Sequence, residues 1–398
     1  MTSARVKQPH VAIACGGTGG HLFPGLAVAA QMRARGSAVT LLISPKDVDQ
    51  QAVQSVCGME IVTLPAVALQ RGRRLAFLRG FWQSWRAARK LFKLHRPDAV
   101  LAMGGFTSAP PVLAARNLGV KTFLHESNTM PGRANRWLAR VVNHAFVGFV
   151  QTESHLAAYQ VTTTGTPVRS QFQPRDPAVC RAAFGLDTVR PVMLVMGGSQ
   201  GASGINGLIL SALPVLARHA LQWQWLHISG PQEADKVRAA YQQFGLTAVV
   251  RPFLAEMELA LGAATASVSR AGASSLAELA AVRLPALLVP FPAATDNHQF
   301  HNARAFEATG AAQLLEQRNA TPENVSSLLR ELVEDAAARE EMKTALARWH
   351  APNAAAQIAG LILQAACRGV ALPHVGSKTA PSPTRVAPVT TLESSTLV

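Results

Sequence analysis

Short apolar runs alternate with helical-period segments along most of the chain. In the first half the runs are Val11–Cys15, Val39–Ile43, Ala99–Met103, Lys121–His125 and Ala145–Val150. In the second half they are Val192–Met196, Trp223–Ser229, Thr247–Arg251, Ala266–Ser269, Ala286–Pro290 and Ala312–Glu316. Continuous apolarity over so few residues suits strands buried on both faces. Helical patterns such as Ala273–Val282 and His298–Thr309 fill the gaps. This alternation predicts right-handed βαβ units and parallel sheets, an α/β fold. The first helix is expected to carry Pro24 in its opening turn and to stop at Gly36. Thr162 to Val168, with Gly165 and Pro167, reads as an interdomain link. Three helical stretches follow between Thr321 and Cys367, and from about Leu372 a Pro/Ser/Thr/Val-rich tail without periodicity reads as disordered.

Two glycine-rich turns stand out against this pattern. Gly16-Gly17-Thr18-Gly19-Gly20-His21 follows the first apolar run, and Gly197-Gly198-Ser199-Gln200-Gly201 follows Val192–Met196. Each is strand, turn, helix, with glycine where the backbone must turn sharply. Free N–H groups at such a turn and at a helix N-terminus attract anions. Two of them, in a chain of 398 residues that exceeds one comfortable core, predict two similar domains facing across a cleft. A dinucleotide site fits poorly: neither turn reads G-x-G-x-x-G, and the second strand ends Ser44-Pro45-Lys46 without an acidic residue for a ribose. No Gly-Lys-Ser/Thr follows either turn.

Composition narrows the setting. The longest apolar stretch, Leu284 to Ala294, is too short to span a bilayer, and no signal-peptide pattern opens the chain, so a cytoplasmic protein is expected. Cys15, Cys57, Cys180 and Cys367 show no metal spacing and read as reduced thiols. Residues 1–168 carry 19 Lys+Arg against 6 Asp+Glu, and residues 169–398 carry 19 against 17, so most of the +15 net charge lies in one half. That half is expected to face an anionic partner.

Several polar residues are placed for chemistry. His21 ends the first turn and could serve as a general base, cap the helix or touch phosphate. Ser199 with the amides of Gly198 to Gly201 could hold a diphosphate, with Arg169 as a positive clamp. Glu278, about a turn into an apolar helix, could accept hydrogen bonds from a ribose diol or complement the helix dipole. His298 and Asn302 share a helix face beside Gln299 and suit a sugar with many hydroxyls. His125-Glu126-Ser127-Asn128 and Gly104-Gly105-Phe106-Thr107-Ser108 end strands, where ligands gather in such folds. Asp47-Val48-Asp49 looks like a two-aspartate metal motif of sugar transferases but has no further ligands nearby; no metal and no cofactor are expected.

Arg71 to Lys93 is basic, free of acids and interleaved with aromatics: Arg79 and Arg86 accompany Phe81, while Leu75, Leu78, Trp82 and Trp85 recur at i, i+3, i+7 and i+10. An anionic membrane surface suits this mixture. Nucleic acid, or plain packing with a solvated basic face, would use the same residues.

Assembled in order, these motifs resemble the MurG family of peptidoglycan glycosyltransferases, which add N-acetylglucosamine to lipid I. The resemblance runs over about residues 8 to 368 through Gly16–His21 with Pro24-Gly25, Met103–Phe106, His125–Asn128, Gly165–Arg169, Gly197–Gly201, Arg270–Ala273 with Glu278, and Asp296–Asn302. It implies the GT-B fold, two Rossmann-like domains across a cleft: residues 8–167 facing acceptor and membrane, 168–348 binding the UDP-sugar, a helix in 349–370 crossing back, and a disordered tail over 371–398. It further implies that Glu278 holds the ribose, that Ser199 and Arg169 hold the diphosphate, that Gln200 belongs to the same UDP-N-acetylglucosamine site, and that Phe253 and Leu254 border the uracil. His298, Gln299 and Asn302 would face the donor sugar, and Ala273, with Thr18, Gly19, Gly20 and Asn128 from the first domain, would complete the UDP-N-acetylglucosamine site. Gly17, Phe106 and Glu126 would line the acceptor side, where His21 is the favoured base and Asn128 its neighbour. Partners implied are UDP-N-acetylglucosamine, undecaprenyl-linked lipid I, the anionic inner face of the plasma membrane and cell-wall synthesis proteins, but no nucleic acid. A glycolipid synthase with another acceptor, or a UDP-N-acetylglucosamine epimerase on the same fold, are the alternatives. Ser127 stands where the family usually has Gln, Thr166 where it has Asn and Ala271 where it has Ser.

Overall fold

Odd and even residues of the first strand point into two different cores. Val11, Ile13 and Cys15 join one apolar cluster and Ala12 and Ala14 the other, and all are buried. A strand covered on both faces must be central, which is why it carries no polar alternation. The computed structural model describes residues 8–46, 49–50, 53–54, 58–65, 74–198 and 203–368. Within them the first half runs β1 (His10–Ala14), α1 (Gly19–Ala34), β2 (Ala38–Ile43), β3 (Glu60–Thr63), α2 (Arg74–Leu94), β4 (Ala99–Ala102), α3 (Ala109–Asn117), β5 (Lys121–Glu126), α4 (Arg133–Ala139), β6 (His144–Val147) and β7 (Val161–Thr163). The second half runs α5 (Pro177–Ala183), β8 (Val192–Met196), α6 (Ser203–Leu216), β9 (Gln224–Ile228), α7 (Ala234–Gln243), β10 (Thr247–Arg251), α8 (Met257–Ala263), β11 (Ala266–Ser269), α9 (Ala273–Val282), β12 (Ala286–Leu288), α10 (His298–Glu307), β13 (Gln313–Leu314), α11 (Pro322–Glu334), α12 (Ala336–Trp349) and α13 (Ala354–Arg368).

The strands form two all-parallel sheets, ordered β3-β2-β1-β4-β5-β6-β7 and β10-β9-β8-β11-β12-β13. In each, the strand order reverses beside the strand that ends in a glycine turn, β1 or β8, where a crevice opens in such sheets. Ile358, Ala359 and Ile362 of α13 are fully buried in the first-sheet core, the cluster that also holds Val11, Ile13 and Met32. Each isoleucine there contributes roughly 1.5–3 kcal/mol.

The structure adds one strand that the sequence reading did not include and corrects two expectations. β3 has an exposed, polar-edged pattern, Glu60-Ile61-Val62-Thr63, and no continuous apolar run announces it. β7 takes Thr162 and Thr163 out of the expected link, because pairing with Ala145–Val147 satisfies their backbone at the sheet edge. Pro24 lies in the second turn of α1, since the helix already begins at Gly19. Asp47, Cys57, Arg71, Ser199, Gln200, Gly201 and the tail over 371–398 lie outside the described residues.

Candidate active site

The first glycine turn is braced by side chains from two neighbouring segments, one after β2 and one after β4. Asp49 accepts from the Gly17 N–H at 2.6 Å and from the Ser44 N–H at 3.2 Å, while Lys46 Nζ donates to the Gly17 carbonyl at 2.8 Å. Thr107 Oγ1 donates to the Gly16 carbonyl at 2.6 Å. Asp49 thus anchors the turn. Among the described residues no cluster of three or more His, Cys, Asp or Glu could hold a metal. Thr18 caps α1 with extended backbone, and the N–H groups of Gly19 and Gly20 follow in the first turn, without intrahelical acceptors.

His21 sits on this first turn, its Nδ1 3.2 Å from Thr18 Oγ1. The ring lies against Gly104 and Gly105: a Cβ on Gly104 would stand 3.2 Å from Nε2, and one on Gly105 3.0 Å from Cε1. Both glycines also have positive φ, +106° and +78°. Glycine is thus required there twice, for conformation and for space. Burial lowers the His21 pKa below 6.5, partly offset by Glu126 and Asp49 and reinforced by His298 across the cleft and by Lys46. The imidazole is neutral at pH 7 and can take a proton.

Glu126, at the end of β5, is buried and fully bonded. It accepts from the Asn128 N–H and Asn128 Nδ2 at 2.8 and 2.9 Å, the Gly132 N–H at 3.0 Å and Asn135 Nδ2 at 2.7 Å. Its role here is to shape the loop that presents Asn128. Phe106 is half-buried beside Gly17, under Lys46.

From the second sheet, Glu278 and Arg169 meet at 3.5 Å. The Arg169 guanidinium also stacks on Phe23 of α1, at 4.2 Å, and on Phe172, at 4.8 Å. Burial pushes the Glu278 carboxyl up to about 7, and Arg169 limits the rise. Ala273 opens α9 near this pair, Leu254 packs on the second core and Phe253 is exposed. His298 Nδ1 donates to the Thr295 carbonyl at 2.8 Å, which leaves Nε2 as its acceptor. Gln299 Oε1 accepts from the Phe291 N–H at 3.0 Å, leaving its NH2 to donate to a ligand.

Asn302, the third residue of the expected sugar-facing set, lies one turn beyond His298 on α10. It is 0 % exposed, and its amide is spent on Thr129, Asn128 and Ala271. The three departures from the family pattern are also buried: Ser127 Oγ lies 3.2 Å from His125 Nδ1, Thr166 packs on Gly148, and Ala271 contributes its carbonyl.

Further contacts across the cleft were missed by sequence reasoning. Asp296 pairs with Arg136 at 2.7 Å and Arg133 at 3.2 Å, and Ser274 reaches the Gly20 carbonyl at 3.0 Å. Only the positive φ of Asp296 and Asn297, 51° and 52°, hints at a special turn, and Asn is a residue that tolerates it.

On α2, Gly80, Ser84, Ala88 and Phe92 form the buried face, one every four residues, against α3. Leu75, Leu78 and Trp82 are exposed by 84 %, 60 % and 52 %, with Arg79 and Arg86 beside them. Phe81 and Trp85 of the expected patch instead lean, half-buried, on the core. No helix among the described residues is long and apolar enough to cross a membrane.

Comparison with known proteins agrees with this geometry. Residues 11–147 match the glycosyltransferase family 28 N-terminal domain, and residues 192–358 the glycosyltransferase family 28 C-terminal domain. The UDP-N-acetylglucosamine–N-acetylmuramyl-(pentapeptide) pyrophosphoryl-undecaprenol N-acetylglucosamine transferase of Anaeromyxobacter sp. (strain K) is 37 % identical over 361 residues, covering 88 % of this chain and 92 % of its own. The protein of the same name from Xanthomonas axonopodis pv. citri (strain 306) is 39 % identical over 381 residues, covering 92 % and 87 %. The crystal structure of Acinetobacter baumannii MurG superposes with a TM-score of 0.70 at 29 % identity, covering 89 % of this chain and 99 % of that one. Two facing parallel sheets of the GT-B kind, both family 28 domains and full-length relatives together place the chain in the MurG family of N-acetylglucosamine transferases.

Proposed function

We propose that the chain transfers N-acetylglucosamine from UDP-N-acetylglucosamine to the 4-hydroxyl of the N-acetylmuramic acid of lipid I, forming lipid II, by a single inverting displacement. The acceptor oxygen bonds to the anomeric carbon as the bond to the diphosphate breaks. The hydroxyl proton passes to His21, and the electron pair leaves with UDP. His21 acts as general base, beside Asn128 on the acceptor side. Charge on the departing diphosphate is met by the second glycine turn with Ser199 and Gln200, the N-terminus of α6 and Arg169, without a metal ion. Arg169 then exchanges Glu278 for phosphate, freeing the carboxylate for the ribose hydroxyls. Residues 8–167 serve the acceptor and residues 168–348 the donor. The exposed face of α2 docks the protein peripherally on the anionic cytoplasmic face of the plasma membrane.

One observation supports this reading most: His298 of the second domain lies close enough to the glycine-seated His21 of the first to help hold that imidazole neutral. Base and donor-side residues thus share one cleft. The test is transfer of label from UDP-N-acetylglucosamine to a lipid I analogue in EDTA. Labelled lipid product is expected. Loss in EDTA restored by magnesium would overturn metal independence, and UDP binding without transfer would overturn the acceptor assignment.

A further inference from the structure

The first glycine turn closes over a buried carboxylate that the proposed reaction does not use. Asp49 is 0 % exposed. Its hydrogen bonds all fall on one oxygen. Oδ2 accepts from the Ser44 hydroxyl at 2.5 Å, the Gly17 N–H at 2.6 Å and the Ser44 N–H at 3.2 Å. Oδ1 is buried as well and has no partner among the described residues. Leaving a buried carboxylate half satisfied is unfavourable, so its place in the fold calls for a reason.

The contacts lead from Asp49 to the proposed base. A Cβ on Gly16 would stand 2.4 Å from the Ser44 nitrogen, so the turn lies directly on the end of β2. Gly17 has φ of +112°, and its two polar groups are held separately: Asp49 takes the N–H, and Lys46 Nζ donates to the carbonyl at 2.8 Å. Thr18 follows. Its carbonyl accepts from the His21 N–H at 3.1 Å, and its Oγ1 lies 3.2 Å from Nδ1 of the ring. We infer that Asp49 is a positioning residue for the general base: through Gly17 and Thr18 it fixes where the His21 imidazole sits. This rests on the reading in which His21 takes the acceptor's proton.

The charge of Asp49 works to the same end. Burial in the glycine seat weakens the imidazole as a base, and two carboxylates oppose that, Glu126 at the end of β5 and Asp49 after β2. His298 of α10 and Lys46 act the other way. Glu126 is covered by four donors, whereas Asp49 keeps one oxygen bare.

Two variants separate clamp from charge. Asp49→Ala removes both, and Asp49→Asn removes the charge but leaves an oxygen for the Gly17 N–H. In transfer to a lipid I analogue, Asp49→Ala should lower kcat roughly tenfold, with donor KM and UDP affinity changed by no more than about twofold. Asp49→Asn should recover part of that loss. In both, the acid limb of the kcat/KM profile should move to lower pH, because a negative charge near the imidazole is gone. On a His21→Ala background Asp49→Ala should cost less than about twofold further, since a residue acting through another has nothing left to act on. Wild-type kcat in Asp49→Ala, or a full multiplicative loss in the double variant, overturns the inference. His21→Ala alone separates the two levels. If its turnover is unchanged, the reading of His21 as base falls and the inference with it. If it is impaired while Asp49→Ala is not, only the inference falls. Should Asp49→Ala fail to fold, Asp49→Asn carries the test. A lowered kcat with the acid limb at lower pH supports the inference, and wild-type kcat with an unmoved limb overturns it.

Discussion

Ser274 donates its hydroxyl, at 3.0 Å, to the carbonyl of Gly20, the one carbonyl of α1 that Pro24 leaves without its intrahelical partner. Proline has no N–H to give to the residue four positions back. The second domain supplies the donor instead, so a defect of one helix becomes a contact between domains. Ser274→Ala should cost about 1 kcal/mol in urea denaturation. In a Pro24→Ala background, where residue 24 regains its N–H, the same change should cost measurably less. Equal costs in both backgrounds would contradict this account.

His21→Ala should lower turnover by roughly two to four orders of magnitude while leaving UDP affinity near wild type. Because burial holds the imidazole below 6.5, the acid limb of the kcat/KM profile should have its midpoint below 6.5. A midpoint above that value would mean that another group titrates.

UDP affinity should depend on pH through Glu278. Its carboxyl is raised to about 7 by burial, and holding a ribose diol favours the ionised form. Binding is therefore expected to tighten as pH rises to about 7 and to level off above it, with proton release measurable by calorimetry in buffers of different ionisation enthalpy. Glu278→Gln should bind roughly tenfold more weakly or worse and lose the pH dependence.

Stability should fall in mild acid. Burial holds His125 and His144 at about 4 and His227 at about 3, against 6.5 for an unfolded imidazole. Between about pH 4 and 6.5 the unfolded chain binds more protons, so stability rises with pH across that window and is lost as pH falls through it. His125 alone accounts for on the order of 3 kcal/mol. His125→Gln should flatten the dependence of urea midpoint on pH in that window.

Leu78→Glu and Trp82→Glu should weaken sedimentation with vesicles containing anionic lipid roughly tenfold each, without lowering the thermal midpoint, because both side chains are exposed. Phe92→Ala, on the buried face of the same helix, should do the reverse: about 3–5 kcal/mol of stability lost, with vesicle binding retained by whatever remains folded. Equal vesicle binding by the Glu variants would point to packing rather than membrane docking.

Much of the fold was legible because central parallel strands must be apolar on both faces. Val11–Cys15 and Val192–Met196 read as strands for that reason, and the glycine turns after them marked both crevices. β3 and β7 were hidden because an edge strand needs one apolar face at most, and Glu60 or Thr163 carries no signal of its own. The sequence determined which residue types stand at strand ends: His21, Glu126, Asn128, Arg169, Glu278 and His298 are all readable as candidates from spacing and motif. Tertiary structure alone decided what they do to one another. Glu126 bonds within its own loop, Arg169 meets Glu278 and two aromatic rings, and Asn302 bonds Thr129 and Asn128 of the other domain. Hydrogen-bond partners 109 to 174 residues apart in sequence leave no periodicity to read, since their proximity depends on how two sheets pack. Desolvation, which sets His21 low and Glu278 high, likewise exists only once the surrounding chain has excluded water.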